Sequence, residues 1–253
     1  MRHSSPRTLA AAARAPVDLS EAQWEGVEEW PRHDRWLYVF AVRLLWEYAR
    51  RQDSLGVLEL DEPSLGNPLP VHWRGRLISQ DLANSALEAS AIHRALGDRR
   101  PATILEIGAG YGRITHALLG VFPDARATII DIEPALTISS WYLPNLVSPE
   151  HLRFLGPPEA AELPTGSASL AVSVSSLHEM TAAQVEGYLG LLDRVAAGGI
   201  VYLKQWRSWH NPDDAVTLRF DSYPIPARWE PLLHERAPVQ TRFQQAAWAV
   251  PEN

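Results

Sequence analysis

The stretch of this sequence with the clearest capacity for chemistry is residues 105–113, LEIGAGYGR. Gly108, Gly110 and Gly112 alternate with other residues, directly after an apolar run and the acidic Glu106. Without Cβ atoms, such a backbone can turn sharply and let a ligand touch the main chain. The helix expected to follow would offer free N–H groups in its first turn. The pattern therefore predicts a ligand-binding loop between a strand and a helix.

Two ligand classes compete for this loop. A dinucleotide fingerprint, G-x-G-x-x-G, would need its third glycine at the position occupied by Arg113, so the spacing is wrong. S-adenosylmethionine (SAM) has no phosphate but carries a cationic amine and a sulfonium, which suit the carboxylate of Glu106. Asp131 ends the next predicted strand, where a carboxylate can accept both ribose hydroxyls. That feature is common to both ligand classes, so the choice of SAM rests on the glycine spacing and on Glu106.

The elements that must position these residues alternate between strand and helix from residue 102 onward. Apolar segments predict strands at ATILEI, ATIID, LRFL, SLAVSVSSL and IVYLKQW, with two more at about 228–236 and 243–250. This alternation predicts an α/β fold with a parallel sheet and helices on both faces. Ligands of such sheets bind at the carboxyl ends of the strands, near the point where the strand order reverses.

The first hundred residues predict helices instead. The first spans about 34–51, with Asp34 as its N-cap, and the second about 79–96, between a Ser79 cap and a Gly97 stop. The apolar side chains that share one face of the first helix are Leu37, Phe40, Ala41, Leu44, Leu45 and Tyr48. Residues 53–77 read as loop. We therefore divide the chain into a flexible N-terminal tail (1–20), an N-terminal helical cap (21–98) and a SAM-binding catalytic domain (99–253).

Four segments, ILEIGAGYGR, TIIDIEPAL, SVSSLHEM and VYLKQW, together resemble the class I SAM-dependent methyltransferases. With GNPLPVHWRGRLISQDLANSALE they are similar, more narrowly, to proteins assigned as bacterial sugar O-methyltransferases, over about residues 60–250. The resemblance implies a Rossmann-like, seven-stranded, mostly parallel sheet whose last strand is antiparallel. It also implies SAM as methyl donor and a hydroxyl acceptor on a sugar, or on a glycosylated or natural-product small molecule.

The resemblance also implies a set of cofactor-binding positions: Glu106, Gly108, Ala109, Gly110, Tyr111, Gly112, Asp131, Ile132, Glu159 and Ser175. The sequence departs from the family pattern at two places. Glu133-Pro134 stands where Pro-Pro is expected, and the family's Phe-Gln-Glu-Met is replaced by residues 177–180, LHEM.

Methyl transfer to a hydroxyl needs a base that takes the acceptor's proton. His178 follows the fourth strand directly and can accept a proton near neutral pH, while Glu179 could orient its ring, hold the substrate or act as the base itself. The alternative is a structural histidine. Candidates for substrate contact are Gln80, Asn84, Lys204 and Trp206, with helix capping or packing at the end of the sheet as their alternatives.

The amino-acid composition limits the classes of ligand and partner that we expect. The formal net charge of −7 disfavours a nucleic-acid partner, and the absence of cysteine excludes disulfides and thiolate metal sites. No apolar run approaches the ~18 residues of a membrane span. His178-Glu179 does not extend to H-E-x-x-H, because residue 182 is alanine, so no metal is expected. We expect a cytoplasmic enzyme with a small-molecule substrate, and the sequence is compatible with a homodimer.

One functional alternative stays open. Because a fold does not fix a function, a protein with this sequence could bind SAM in natural-product biosynthesis and catalyse a reaction other than methyl transfer, or only bind.

Overall fold

The computed structural model describes residues 31–65 and 71–252. The predicted tail (1–20) and the first ten residues of the predicted cap segment lie outside the described residues. The helices are α1 (Arg32–Gln52), α2 (Gln80–Leu96), α3 (Arg113–Val121), α4 (Ala135–Tyr142), α5 (Pro157–Ala160) and α6 (Ala182–Val195). The strands are β1 (Val71–Trp73), β2 (Arg76–Ile78), β3 (Thr103–Ile107), β4 (Arg126–Ile130), β5 (Leu152–Leu155), β6 (Leu170–Val174), β7 (Ile200–Trp206), β8 (Ser208–His210), β9 (Thr217–Arg219), β10 (Glu230–Arg236) and β11 (Phe243–Ala249).

Seven of these strands form the central sheet, in the order β10-β11-β7-β6-β3-β4-β5. Strands β3 to β7 pair in parallel, and β11 runs antiparallel to both of its neighbours. This confirms the predicted α/β architecture with its antiparallel last strand. From β3 the chain steps outward to β4 and β5 and then crosses to the other side of β3 as β6. The strand order therefore reverses between β3 and β6, so the loops after these two strands border the expected ligand crevice.

The cap helix α2 is part of the core. Twelve of its seventeen residues are buried, and most of them are alanine, serine or leucine. Small side chains let neighbouring elements approach closely, and α2 packs against α1, α3 and the sheet. Its predicted ends are confirmed, since Ser79 Oγ accepts from the Leu82 N–H at 2.9 Å and Gly97 is the C-cap.

Helix α1 has the predicted extent but the opposite orientation. Leu37, Phe40, Leu44 and Tyr48, from the apolar face, are 40–63% exposed. The buried residues are instead Val42, Trp46 and Ala49. Apolar residues occur on both sides of this helix, so periodicity alone could not show which side packs against α2.

The predicted cap of α1 is also wrong. Pro31 is the N-cap and makes no side-chain cap hydrogen bond, while Asp34 lies inside the first turn. The Pro31 carbonyl accepts from the Asp34 and Arg35 N–H groups at 3.0 and 3.2 Å, which starts the helix. Helix α6 begins with a capping box, in which Thr181 and Gln184 are bonded reciprocally.

Two short hairpins and one short helix were missed. The hairpin β1/β2 lies almost entirely in the predicted loop 53–77, a second hairpin β8/β9 follows β7, and α5 forms directly after β5. Strands of three residues are too short to show a period, and such hairpins are specified by their turns. Among the described residues, no helix combines the length and apolar character that a bilayer crossing requires.

Candidate functional site

The three glycines of the loop between β3 and α3 play different roles. All have positive φ, at 71°, 62° and 96° for Gly108, Gly110 and Gly112. A Cβ on Gly108 would lie 1.8 Å from Ser176 Oγ, and one on Gly112 would lie 2.6 Å from Leu143 Cδ1. A Cβ on Gly110 would meet nothing within 4 Å. Gly108 and Gly112 thus allow close packing, and Gly110 faces open space at the edge of the sheet formed by the carboxyl ends of its parallel strands.

Asp131 lies beside Gly110. Its carboxylate accepts from the Gly110 N–H at 2.9 Å and from the Ile132 N–H at 2.8 Å. Burial raises the pKa of Asp131, against the lowering effect of these two bonds. The Ile132 side chain is 62% exposed at the same edge. The strand end after β4 therefore presents one carboxylate and one apolar side chain next to the glycine loop.

Glu106 lies behind the loop. It is 2% exposed, and its Oε2 accepts from the Thr115 N–H at 3.2 Å and from the Thr115 hydroxyl. Burial raises the pKa of Glu106 to about 7. This carboxyl, predicted to contact the cofactor directly, has its described contacts with α3. It fixes the helix whose first turn follows the glycines.

The N-terminus of α2 docks onto the glycine loop. Tyr111 Oη donates to Asp81 Oδ2 at 2.7 Å, and the Tyr111 ring meets Tyr142 edge-on. Gln80 is the first residue of the same helix, and Ala109 packs against the core. The cap therefore borders the glycine loop, through the contact of Asp81 with Tyr111.

Asn84, one turn further along α2, is a buried polar group without a partner. It is 2% exposed, and neither its Oδ1 nor its Nδ2 forms a hydrogen bond in the described structure. An unsatisfied buried amide is costly and uncommon in native proteins. This side chain therefore has hydrogen-bonding capacity available for a ligand.

Lys204, a predicted substrate contact, belongs to a buried ion cluster. Its Nζ donates to Glu88 Oε1 at 2.6 Å and to Gln240 Oε1 at 2.5 Å. Glu88 also accepts from Arg113 at 2.7 and 3.1 Å. Burial alone would raise the pKa of Glu88, but the two cations hold it below its usual value. Lys204 thus joins β7 to α2 and is neutralised within the protein.

The Gln205 side chain hydrogen-bonds both to β6 and to the loop that follows it. Its Oε1 accepts from the Ser176 N–H at 3.0 Å and lies 3.1 Å from His178 Nδ1, while its Nε2 donates to the Ser173 carbonyl at 3.0 Å. Ser175 adopts a left-handed φ of 58° and donates its N–H to the Lys204 carbonyl. Such backbone conformations in residues other than glycine concentrate at functional sites.

The two catalytic candidates, His178 and Glu179, are neighbours, and three aromatic side chains surround the His178 ring. We call Trp206, Trp209 and Phe243 the aromatic wall. The His178 ring is 2% exposed, stacks on Trp206 with 5.8 Å between centroids, and meets Trp209 and Phe243 edge-on. Its Nε2 lies 3.8 Å from Glu179 Oε1, on a side chain that is 50% exposed.

Glu159, predicted to contact the cofactor, caps its own helix. Its Oε2 accepts from the Gly156 N–H at 2.7 Å, at the start of α5 directly after β5. Sequence reasoning missed the roles of Glu88 and Arg113, whose partners lie far away in the chain. Within residues 31–65 and 71–252, no three His, Asp or Glu side chains are grouped as metal ligands would be.

No protein-family model and no curated protein matches the chain. Among solved structures, it is similar to the 1,6-didemethyltoxoflavin-N1-methyltransferase of Burkholderia thailandensis with bound S-adenosylhomocysteine, at TM-score 0.52 and 19% identity, over 67% of this chain and 79% of that one. It is also similar to the N-methyltransferase NodS of Bradyrhizobium japonicum, at TM-score 0.51 and 16% identity, over 65% of this chain and 94% of that one. The chain has the Rossmann-like fold of the SAM-dependent methyltransferases. At these identities the likeness extends to the fold, and the chemistry must be argued from the site.

Proposed function

We propose that this chain is a SAM-dependent O-methyltransferase that acts on a hydroxyl of a sugar or of a glycosylated or natural-product small molecule. The single observation that carries the proposal is the position of Gly110. It faces open space at the point where the strand order reverses, with the carboxylate of Asp131 bonded to its N–H. A nucleoside bound there could donate its ribose hydroxyls to Asp131 and lie against the side-chain-free backbone of Gly110.

The residues present fit SAM. Asp131 could accept the ribose hydroxyls, and Ile132 offers an apolar surface for the adenine. The unpartnered amide of Asn84 can both donate and accept, as the amino-acid end of the cofactor requires. Ser175, at the adjoining strand end, adds a hydroxyl. When bound, SAM would supply an electrophilic methyl group.

The chain's own part in the reaction is to hold the acceptor and remove its proton. A hydroxyl is a poor nucleophile until a base takes its hydrogen. His178 is our candidate for that base, with Glu179 beside it to hold the acceptor or to stabilise the imidazolium. The acceptor oxygen gains the methyl group, and the proton leaves on the imidazole.

The aromatic wall supports an acceptor with an apolar face. Trp206 and Trp209 lie 5.0 Å apart at the carboxyl end of β7, next to His178. The C–H face of a sugar ring or a planar heterocycle could stack there. A nucleic-acid acceptor is disfavoured by the net charge of −7. The sugar assignment draws on the sequence resemblance, and an amine acceptor is the competing outcome.

A second function is favoured by one observation. His178 is nearly fully buried, as a structural histidine would be. In that case, unless Glu179 acts as the base, the protein would bind SAM without transferring its methyl group to a hydroxyl.

Two measurements distinguish the two proposed functions. Calorimetry should show binding of SAM or S-adenosylhomocysteine at micromolar Kd or tighter, no binding of NAD, and at least a tenfold loss of affinity in Asp131→Asn. Radiolabelled methyl transfer to a panel of glycosides, phenols and amines should then be lost in His178→Ala. Tight binding without transfer to any acceptor would favour the second function, and binding of NAD would contradict both.

A further inference from the structure

The amide of Gln205 has a fixed orientation. Its Nε2 lies 3.0 Å from the carbonyl oxygen of Ser173, which can only accept a hydrogen bond. Its Oε1 lies 3.0 Å from the backbone N–H of Ser176, which can only donate. Both ends of the amide therefore require the same assignment, with the NH₂ group toward β6 and the oxygen toward the loop that follows it.

This orientation determines which nitrogen of His178 carries hydrogen. His178 Nδ1 lies 3.1 Å from Gln205 Oε1. An amide oxygen has no hydrogen to donate, so the hydrogen of this contact must reside on Nδ1. In the neutral ring the lone pair is then on Nε2. The opposite tautomer would place two acceptors against each other.

Burial makes the opposite tautomer, with the hydrogen on Nε2, energetically unfavourable. Gln205 and Ser173 are fully buried and His178 is 2% exposed, so water cannot screen or replace the contact. A flip of the ring would place Cδ2 instead of Nδ1 against Gln205 Oε1 and lose this hydrogen bond.

We propose that Gln205 is a positioning residue that holds neutral His178 in the Nδ1–H tautomer, so that Nε2 is the nitrogen that accepts a proton. The role in catalysis rests on the proposed function. As the acceptor oxygen bonds to the methyl carbon and the donor's C–S bond breaks, the O–H proton passes to the Nε2 lone pair. The resulting imidazolium donates from Nδ1 to Gln205 Oε1, and its Nε2 lies near the Glu179 carboxylate.

The tautomer is measured directly by nitrogen-15 NMR of the labelled 253-residue protein, from the two-bond couplings within each imidazole. Loss of one spin system in His178→Ala identifies the ring. We expect protonated Nδ1 and unprotonated Nε2 in the wild type above the ring's pKa. We expect Gln205→Met, which keeps the chain length but removes both polar atoms, to release the ring into an Nε2–H or mixed state.

The matched control is Gln245→Met. Gln245 is also a buried glutamine of the sheet, but its partners are Tyr202 and Glu235. It should leave the His178 tautomer unchanged. An Nε2–H tautomer in the wild type would overturn the proposal, whether or not the Gln205 variant folds. So would an unchanged tautomer in Gln205→Met.

Kinetics supply a second readout. Gln205→Met should lower kcat by about tenfold or more while the Kd for S-adenosylhomocysteine stays within about twofold. Gln205→Glu should recover part of kcat, because a carboxylate still accepts from Nδ1, and should move the acid limb of the kcat profile to higher pH by favouring the imidazolium. Equal losses in both variants without a pH shift would contradict the positioning role. If the expected tautomer is found but His178→Ala still transfers methyl groups, the tautomer assignment stands and the base in the proposed function is wrong.

Discussion

At the scale of single residues, substitutions at two glycines of the loop should affect different properties: Gly110→Ala mainly ligand binding, and Gly112→Ala mainly stability. Gly110→Ala adds a methyl group in open space, so its folding cost is mainly the left-handed φ, about 1 kcal/mol. We expect a Kd for S-adenosylhomocysteine at least tenfold weaker, because the methyl group occupies the proposed binding surface. Calorimetry and chemical denaturation measure the two effects.

Gly112→Ala is the contrasting variant. Its new Cβ would lie 2.6–2.8 Å from three atoms of the buried Leu143, in a backbone with φ of 96°. Strain and overpacking together should lower the free energy of unfolding by about 3 kcal/mol. The ranking would be contradicted if Gly110→Ala were the less stable variant, or if it bound S-adenosylhomocysteine as well as the wild type.

At the scale of elements, α2 is held to the sheet by charge as well as by packing. Glu88→Gln would leave Lys204 and Arg113 buried without a counter-charge, which should cost about 3–5 kcal/mol. Glu235→Gln, which breaks the exposed pair with Arg94, should cost less than about 1 kcal/mol. Urea denaturation of both variants tests the difference, and equal losses would contradict the importance of the buried cluster.

The elements also show what the sequence could and could not predict. Helix caps at Ser79 and Thr181 and the glycine spacing were predictable, because each signal involves neighbours within a few residues. The ion pair between Glu88 and Lys204 spans 116 residues, and no local pattern encodes it. The exposed face of α1 was misjudged for a related reason. Periodicity identifies apolar faces, but only the packed neighbours decide which one is covered.

At the scale of the whole molecule, the buried carboxyl of Glu106 should make stability depend on pH. Burial raises its folded-state pKa from 4.5 to about 7. Its contribution to stability is therefore fully present below about pH 4.5 and is lost as the pH rises through 7. The shift corresponds to about 3 kcal/mol.

Glu106→Gln removes this dependence, since the amide can still accept from Thr115 but does not ionise. Between pH 4.5 and pH 8, the unfolding free energy of the variant should rise relative to the wild type by up to about 3 kcal/mol. Thermal or urea unfolding at several pH values measures the change. A constant difference across that range would show that Glu106 is already ionised in the folded state at low pH.

The burial of α2 affects attempts to isolate the predicted catalytic domain, residues 99–253. A fragment that starts at residue 99 would lose the helix that covers α3 and β7, which would expose their apolar surface to water and remove Glu88, the counter-charge of Arg113 and Lys204. We expect such a fragment to aggregate on expression, even though it retains every strand of the central sheet. Limited proteolysis of the intact chain should correspondingly cut within α2 only after the entire sheet has opened.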